Sequence, residues 1–290
     1  MTTPYILPAE LLSMPTGVQW NTIPSAGATS QAQLAAQLEL CRAASHWCDA
    51  QCAMPLHATS DIEEIAAPGR RASPDANGVL WITPLRKPVI SVTTLETRPM
   101  IGVTTDYTTV TATNVTLMSN AGQEELASGA GTYRIRAVAT GITKGLPWQS
   151  WSLRLTYVNG WANSELSAAT LVNATSLSVV DATGFAVGDT IEIVDAANTE
   201  TATITAVSST TLTVAALTYA HAAGVQVTAM PANIRLAAGY YAAHLAMFRG
   251  SSAMAIPVAS ARRVMSSGAK GEQNYLMLAQ QHLAPYRRVW

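Results

Sequence analysis

Between Ala162 and Met230 the chain contains no lysine or arginine, six carboxylates, and a succession of segments in which apolar and polar residues alternate: TSLSVV, DTIEIVD, TATITAVS, TLTVAAL and GVQVTA. Period-two alternation puts one face of each segment in a core and the other in water, so these segments read as strands. About five strands in so short a stretch make a small sandwich or barrel. Within it, ATGFAVGDTIEIVD (Ala182 to Asp195) brackets a turn with Gly184 and Gly188. A phosphate-binding loop needs backbone amides at a helix start and usually a nearby cation. Here a strand follows and the module has no cation, so the stretch reads as a β corner.

Charge divides the chain further. Residues 1–161 carry 10 basic against 11 acidic groups, residues 162–230 carry none against 6, and residues 231–290 carry 7 against 1. Local net charges of −1, −6 and +6 do not describe one uniform domain. Charged residues are 12% of the chain, about half the usual share of roughly 25%. So lightly charged a surface suits a protein that buries much of itself against neighbours, and equally an extracellular β-rich protein. With 290 residues, one large domain or two ordinary ones fit.

The flanking regions hold the helices. Residues 31–54, QAQLAAQLELCRAASHWCDAQCAM, lack Gly and Pro and stop before Pro55, which predicts a helix. At 100° per residue Leu34, Leu38, Cys41, Ala44, Cys48 and Cys52 share one face, and Glu39, Arg42, His46 and Asp49 gather opposite. Pro231 opens a second helix, ANIRLAAGYYAAHLAMFR, which Gly250 is placed to close. Ile234, Ala238, Tyr241, Leu245 and Phe248 line its packing face. A short helix from Glu272 to Leu283 ends at Pro285. Between the first two helices, Val79 to Trp161 is cut into β-branched runs: VLWIT, VISVTTLET, DYTTVT, TYRIRAVAT and WSLRLTYV. The two long helices each need a partner and find it in each other. That makes 162–230 an insertion into a discontinuous domain formed by 1–161 and 231–290.

Little in the sequence points to catalysis. Cys41, Cys48 and Cys52 lie on the Leu34 face while His46 points away, and their spacing lacks the Cys-x-x-Cys hairpin of structural zinc sites. Buried free thiols are the expectation, with no metal and no cofactor. The five histidines form no HExxH pair, and no GxSxG elbow supports a Ser-His-Asp triad. Gly129-Ala-Gly131 lacks a third glycine and reads as a loop. Glu63-Glu64 and Glu124-Glu125 read as solvated turns. Arg70-Arg71, Arg262-Arg263 and Arg287-Arg288 could meet phosphates or, equally, an acidic protein surface. Asn114 and Asn173 match the glycosylation pattern, but MTTPYILPAELL has neither the basic start nor the apolar run of a signal peptide. No stretch approaches the ~18 apolar residues of a membrane span. A soluble, cytoplasmically made protein is the expectation.

The segments LAAQLELCRAASHWCDAQCAMPL, LWITPLRKPVISVTTLE, LRLTYVNGW, MPANIRLAAGYYAAHLAMFRG and LAPYRRVW together resemble the head-tail connector (adaptor) proteins of tailed phages. The resemblance spans most of 5–161 and 231–290. It implies an α+β fold with a helical connector core and an antiparallel β-region, here enlarged by the small all-β module in a loop that is normally short. It further implies a homo-oligomeric ring, typically a dodecamer, at the virion neck between the portal protein and a tail, stopper or tail-terminator protein. Double-stranded DNA would pass transiently through its bore, with no membrane and no enzymatic activity involved. By the same resemblance the C-terminal residues Pro285, Tyr286, Arg287, Arg288, Val289 and Trp290 dock on the portal. Leu34, Leu38, Cys41, Cys48, Ile234, Tyr241, Leu245 and Phe248 would pack helices within or between subunits. The alternative is an outward-facing adhesin whose β-module binds carbohydrate, for which the module offers two aromatics, Phe185 and Tyr219.

Overall fold

Among the described residues, fourteen strands in two antiparallel sheets dominate, and helices are the minority. The structure, a computed structural model, describes residues 3–23, 27, 29–75, 77, 79–100, 106–119, 132–138, 150–196, 198–253 and 275–287. The expected helical connector core is therefore corrected. The fold is mostly β, because extended structure begins well before Val79 and continues through the module to Thr228.

Helix α1 (Pro8–Ser13) opens with proline, whose missing N–H costs nothing at a helix start. Helix α2 (Ser30–Cys52) is capped by Thr29, whose side chain accepts from the Ala32 amide at 3.2 Å. It ends at Ala53, which takes the left-handed conformation (φ 53°). Its buried face is turned from the expected one: Gln33, Gln37, Leu40, Cys41, Ala44, Cys48 and Cys52 are inside, while Leu34 is 56% exposed. The glutamines are buried because they satisfy backbone groups of the segment before the helix. The Gln33 side-chain oxygen accepts from the Ile23 amide (2.8 Å), and its amide donates to the Ile23 and Gly27 carbonyls (3.1 and 2.6 Å). Gln37 donates to the Trp20 carbonyl at 2.9 Å. Leaving such groups buried and unpaired would cost about 1–3 kcal/mol each, comparable to burying a leucine.

Helix α3 (Ala232–Ala253) runs through Gly250 rather than stopping there. Its inner face is Ile234, Ala237, Ala238, Ala242, Ala243 and Ala246, small residues that let α2 approach. Helix α4 (Tyr275–Leu283) packs on α3 and runs into a 3-10 turn, Ala284–Tyr286.

The first sheet comprises β1 (Thr59–Ala67), β2 (Ala72–Pro74), β3 (Val79–Ile82), β4 (Val89–Pro99), β5 (Thr108–Thr109), β6 (Val115–Ser119), β7 (Thr132–Val138) and β8 (Trp151–Asn159). Its order is β1-β8-β4-β7-β3-β2, with β5 beside β4 and β6 beside β7. The acids read as a turn, Glu63 and Glu64, lie mid-strand in β1. Glu63 is held there by Arg71, the Tyr157 hydroxyl and the Leu85 amide. Glu124-Glu125 and Gly129-Ala-Gly131 lie outside the described residues.

The second sheet comprises β9 (Asn163–Glu165), β10 (Ser176–Ser178), β11 (Thr190–Val194), β12 (Glu200–Ser208), β13 (Thr211–Val214) and β14 (Gln226–Thr228), in the order β10-β13-β12-β11-β14-β9. It curls into a half-barrel whose edge strands meet through a bridge between Leu166 and Val179. Flanking bonds run from the Ser167 amide to the Ser178 carbonyl (2.8 Å) and from the Val180 amide to the Glu165 carbonyl (2.9 Å).

Three separate cores result. The helices and N-terminal segment enclose one, from Tyr5 to Leu56 and Met230 to Leu283. The first sheet lines a second, from Ile65 to Tyr157. The half-barrel fills a third with residues between Ala162 and Val227.

Candidate functional site

The three cores meet where the chain enters and leaves the half-barrel. Asn163 pairs with Thr228, and the Ala229 amide donates to the Ala162 carbonyl at 2.9 Å, so the two ends of the module lie side by side. The N-terminal segment is tied to this base. Buried Gln226 donates to the Asn163 side chain (2.6 Å) and the Tyr5 carbonyl (3.2 Å), and Asn163 donates to the Pro4 carbonyl (3.0 Å). Trp161, at the entry, exchanges backbone bonds with Leu56 and Ala58.

The C-terminal segment also closes on this junction. Tyr286 meets Trp161 edge-on, with ring centroids 5.4 Å apart and planes at 90°, a favourable aromatic geometry. Arg287 donates to the Gln51 side chain at 2.6 Å. Of the residues expected at a portal interface, Tyr286 and Arg287 are thus half-buried on their own chain and Pro285 is exposed. Arg288, Val289 and Trp290 lie outside the described residues.

The expected helix-packing residues divide. Cys41, Cys48 and Ile234 are fully buried in the first core, and Tyr241 and Leu245 pack partly against it. Tyr241 stacks on Trp47 with centroids 4.1 Å apart and planes 6° from parallel. Leu38 is half-buried and Leu34 exposed; the Phe248 side chain lies outside the described residues. All three cysteines are buried and outside any disulfide, and burial pushes the Cys41 thiol up to about 12, far from a reactive thiolate. Among the described residues no group of three or more His, Cys, Asp or Glu is placed to hold a metal ion.

The polar clusters at the junction have structural chemistry. The Tyr5 hydroxyl donates to Asp49 and accepts from the Leu56 and His57 amides at 3.0 and 3.1 Å, and His57 Nδ1 lies 3.3 Å away. Burial raises the Tyr5 phenol and the Asp49 carboxyl and lowers the His57 imidazole. A phenol so committed is neither nucleophile nor base. In the module, His221 lies with its side chain fully enclosed between Asp195 (3.2 Å) and Glu200 (2.8 Å), so neither ring nitrogen can reach a substrate.

Sequence reasoning missed the strongest link. Arg235, 4% exposed on the first turn of α3, bonds Glu10 of α1 at 2.9 Å and Glu192 of β11. It joins the first core to the half-barrel. Its signal was its isolation, as the sole charge in ANIRLAAGYYAAHLAMF.

A carbohydrate site in the module finds little support. Phe185 is buried at 7% exposure, which leaves Tyr219 as the module's exposed aromatic. No helix among the described residues is long and apolar enough to cross a membrane. Comparison of the chain with protein-family models, curated proteins and solved structures finds no match.

Proposed function

We propose that the chain is a non-catalytic structural protein of a tailed-phage virion, assembling as a ring between portal and tail with a bore for DNA and a surface for tail attachment. The observation that carries this reading is the antiparallel pairing of Asn163 with Thr228 at the base of the half-barrel. It leaves Trp161 and Met230 as near neighbours in the first core, so the flanking segments could be joined there by a short loop, as the resemblance to connector proteins implies. The helix segments that carry the resemblance also pack together: Leu40, Cys41, Ala44 and Cys48 of α2 share a core with Ile234, Ala238 and Ala242 of α3. The buried thiols, the enclosed His221 and the committed Tyr5 favour a structural over a catalytic role.

Native mass spectrometry of the purified chain, alone and mixed with a candidate portal ring, tests the reading. A ring-sized oligomer or a stoichiometric complex with the portal is expected. A chain that stays monomeric with the portal present overturns it.

A further inference from the structure

The outer face of β2, β3 and β7 carries a basic cleft that none of these roles uses. Ala72, Leu80, Ile82, Ile135 and Ala137 point into the second core, so their neighbours Ser73, Trp81, Arg134 and Arg136 take the opposite face. Register sets them in a row: Ser73 pairs with Trp81, and Trp81 with Arg136. The turn between β1 and β2 adds Arg70 and Arg71. A cleft of about 250 Å³ forms there, lined chiefly by Arg70, Arg71, Ser73, Trp81, Thr83 and Arg134.

The three arginines are not equivalent. Arg71 is anchored, donating to the Thr83 carbonyl at 3.3 Å and to Glu63. Arg70 and Arg134 are exposed, and neither guanidinium has a hydrogen bond or ion pair among the described residues. Two unpaired guanidinium groups on one cleft raise its positive potential, which an anion would relieve. The Trp81 N–H is already donated to Asp75 at 3.2 Å, so the indole offers the cleft ring surface rather than a donor.

The geometry favours a tetrahedral oxyanion over a carboxylate. A planar carboxylate is satisfied by the fork of one guanidinium. Here the guanidinium donors come from the β1–β2 turn and from strand β7, and Ser73 and Thr83 also line the cleft. We propose that this cleft binds a phosphoryl group, free or carried on a nucleotide chain, with Arg70 and Arg134 supplying the charge and the anchored Arg71 as a third donor.

The test uses the full chain, the double variant Arg70→Ala/Arg134→Ala, and a control of equal charge loss, Arg42→Ala/Arg98→Ala. Inorganic phosphate is titrated by calorimetry, and a short labelled oligonucleotide by fluorescence anisotropy across a salt series. The wild type is expected to bind at least one of the two ligands, and the cleft variant to lose about tenfold or more while the control retains affinity. If the oligonucleotide binds, its salt slope should flatten by roughly 2 in the cleft variant, at about 0.9 or less per phosphate contact. Binding of phosphate alone assigns the free ion; binding of the oligonucleotide assigns the chain. The proposal is overturned if neither ligand binds, if the cleft variant binds like the wild type, if the control loses as much, or if polyglutamate competes equally well. Melting curves of the cleft variant should match the wild type, since both arginines are exposed and unpaired.

Discussion

Arg235 and Glu10 meet at 2.9 Å, with side chains 5% and 17% exposed, and the same guanidinium holds Glu192 of the half-barrel. Burial raises the Glu10 carboxyl, while Arg235 pulls it back toward ionisation. Removing one partner of such a pair strands the other in a poorly solvated site. We expect Arg235→Met to cost about 3–5 kcal/mol in chemical denaturation. The double variant Arg235→Met/Glu10→Leu should recover most of that loss, because an apolar replacement of a buried pair is often neutral. Glu192→Gln removes a partner that is a third exposed, so about 1 kcal/mol is expected. Equal losses from the single and double variants would show that the loss does not come from a stranded Glu10.

The glycines of GFAVGD are distinguishable by experiment. Gly184 (φ 88°) and Gly188 (φ 93°) both sit in the left-handed region. At Gly188 an added methyl group meets nothing within 4 Å, whereas at Gly184 it would overlap Ala58 Cβ and come within 3.0 Å of Ile90 Cδ1. Gly188→Ala should therefore cost about 1–2 kcal/mol, the conformational penalty alone. Gly184→Ala should cost at least about 1 kcal/mol more, from overpacking. Thermal unfolding of the two variants checks the order, and a reversal would remove Gly184 as the contact between the module and the first sheet.

Those glycines also mark what the sequence could and could not disclose. Local signals placed the elements well: residues 31–54 were expected to be helical and Ser30–Cys52 are, and the alternating segments of the module became β10 to β14. Facing was less legible, because it depends on partners remote in sequence. Gln33 and Gln37 displaced Leu34 from the interior through bonds to Trp20, Ile23 and Gly27 that no periodicity encodes. Strand β1 was hidden because Glu63 and Glu64 look solvated until Arg71, Tyr157 and Leu85 are brought beside Glu63. The same long-range pairing produced a mostly β fold in place of the expected helical core. For the site, Cys41, Cys48 and Ile234 were readable from helical spacing. The Arg235 clasp was not, since its carboxylates lie 225 and 43 residues away.

His57 makes stability depend on pH in a defined direction. Burial lowers its pKa below the ordinary 6.5, so the folded state binds fewer protons than the unfolded state between the two values. Stability from this group is then complete above pH 6.5 and is lost as pH falls through the folded value. Asp49 acts oppositely in a lower window, since its raised pKa makes stability fall as pH rises from 3.8 to the folded value. We expect Tm to drop between about pH 7 and pH 5, and His57→Gln to lessen that drop. An identical pH profile in the variant would remove His57 from the account.

The C-terminus separates folding from docking. Tyr286 closes on Trp161 and Arg287 on Gln51, so these two residues contribute to the junction of their own chain. Tyr286→Ala should cost about 0.5–1.5 kcal/mol in aromatic contact, besides the buried area. Removing Arg288, Val289 and Trp290 leaves those two contacts in place. If the reading as a connector holds, that truncation should still weaken the portal complex, because arginine and tryptophan concentrate binding energy at interfaces. The pair of measurements is decisive in combination. Intact melting with full portal binding places docking elsewhere on the chain, and weakened melting shows that the last three residues belong to the fold.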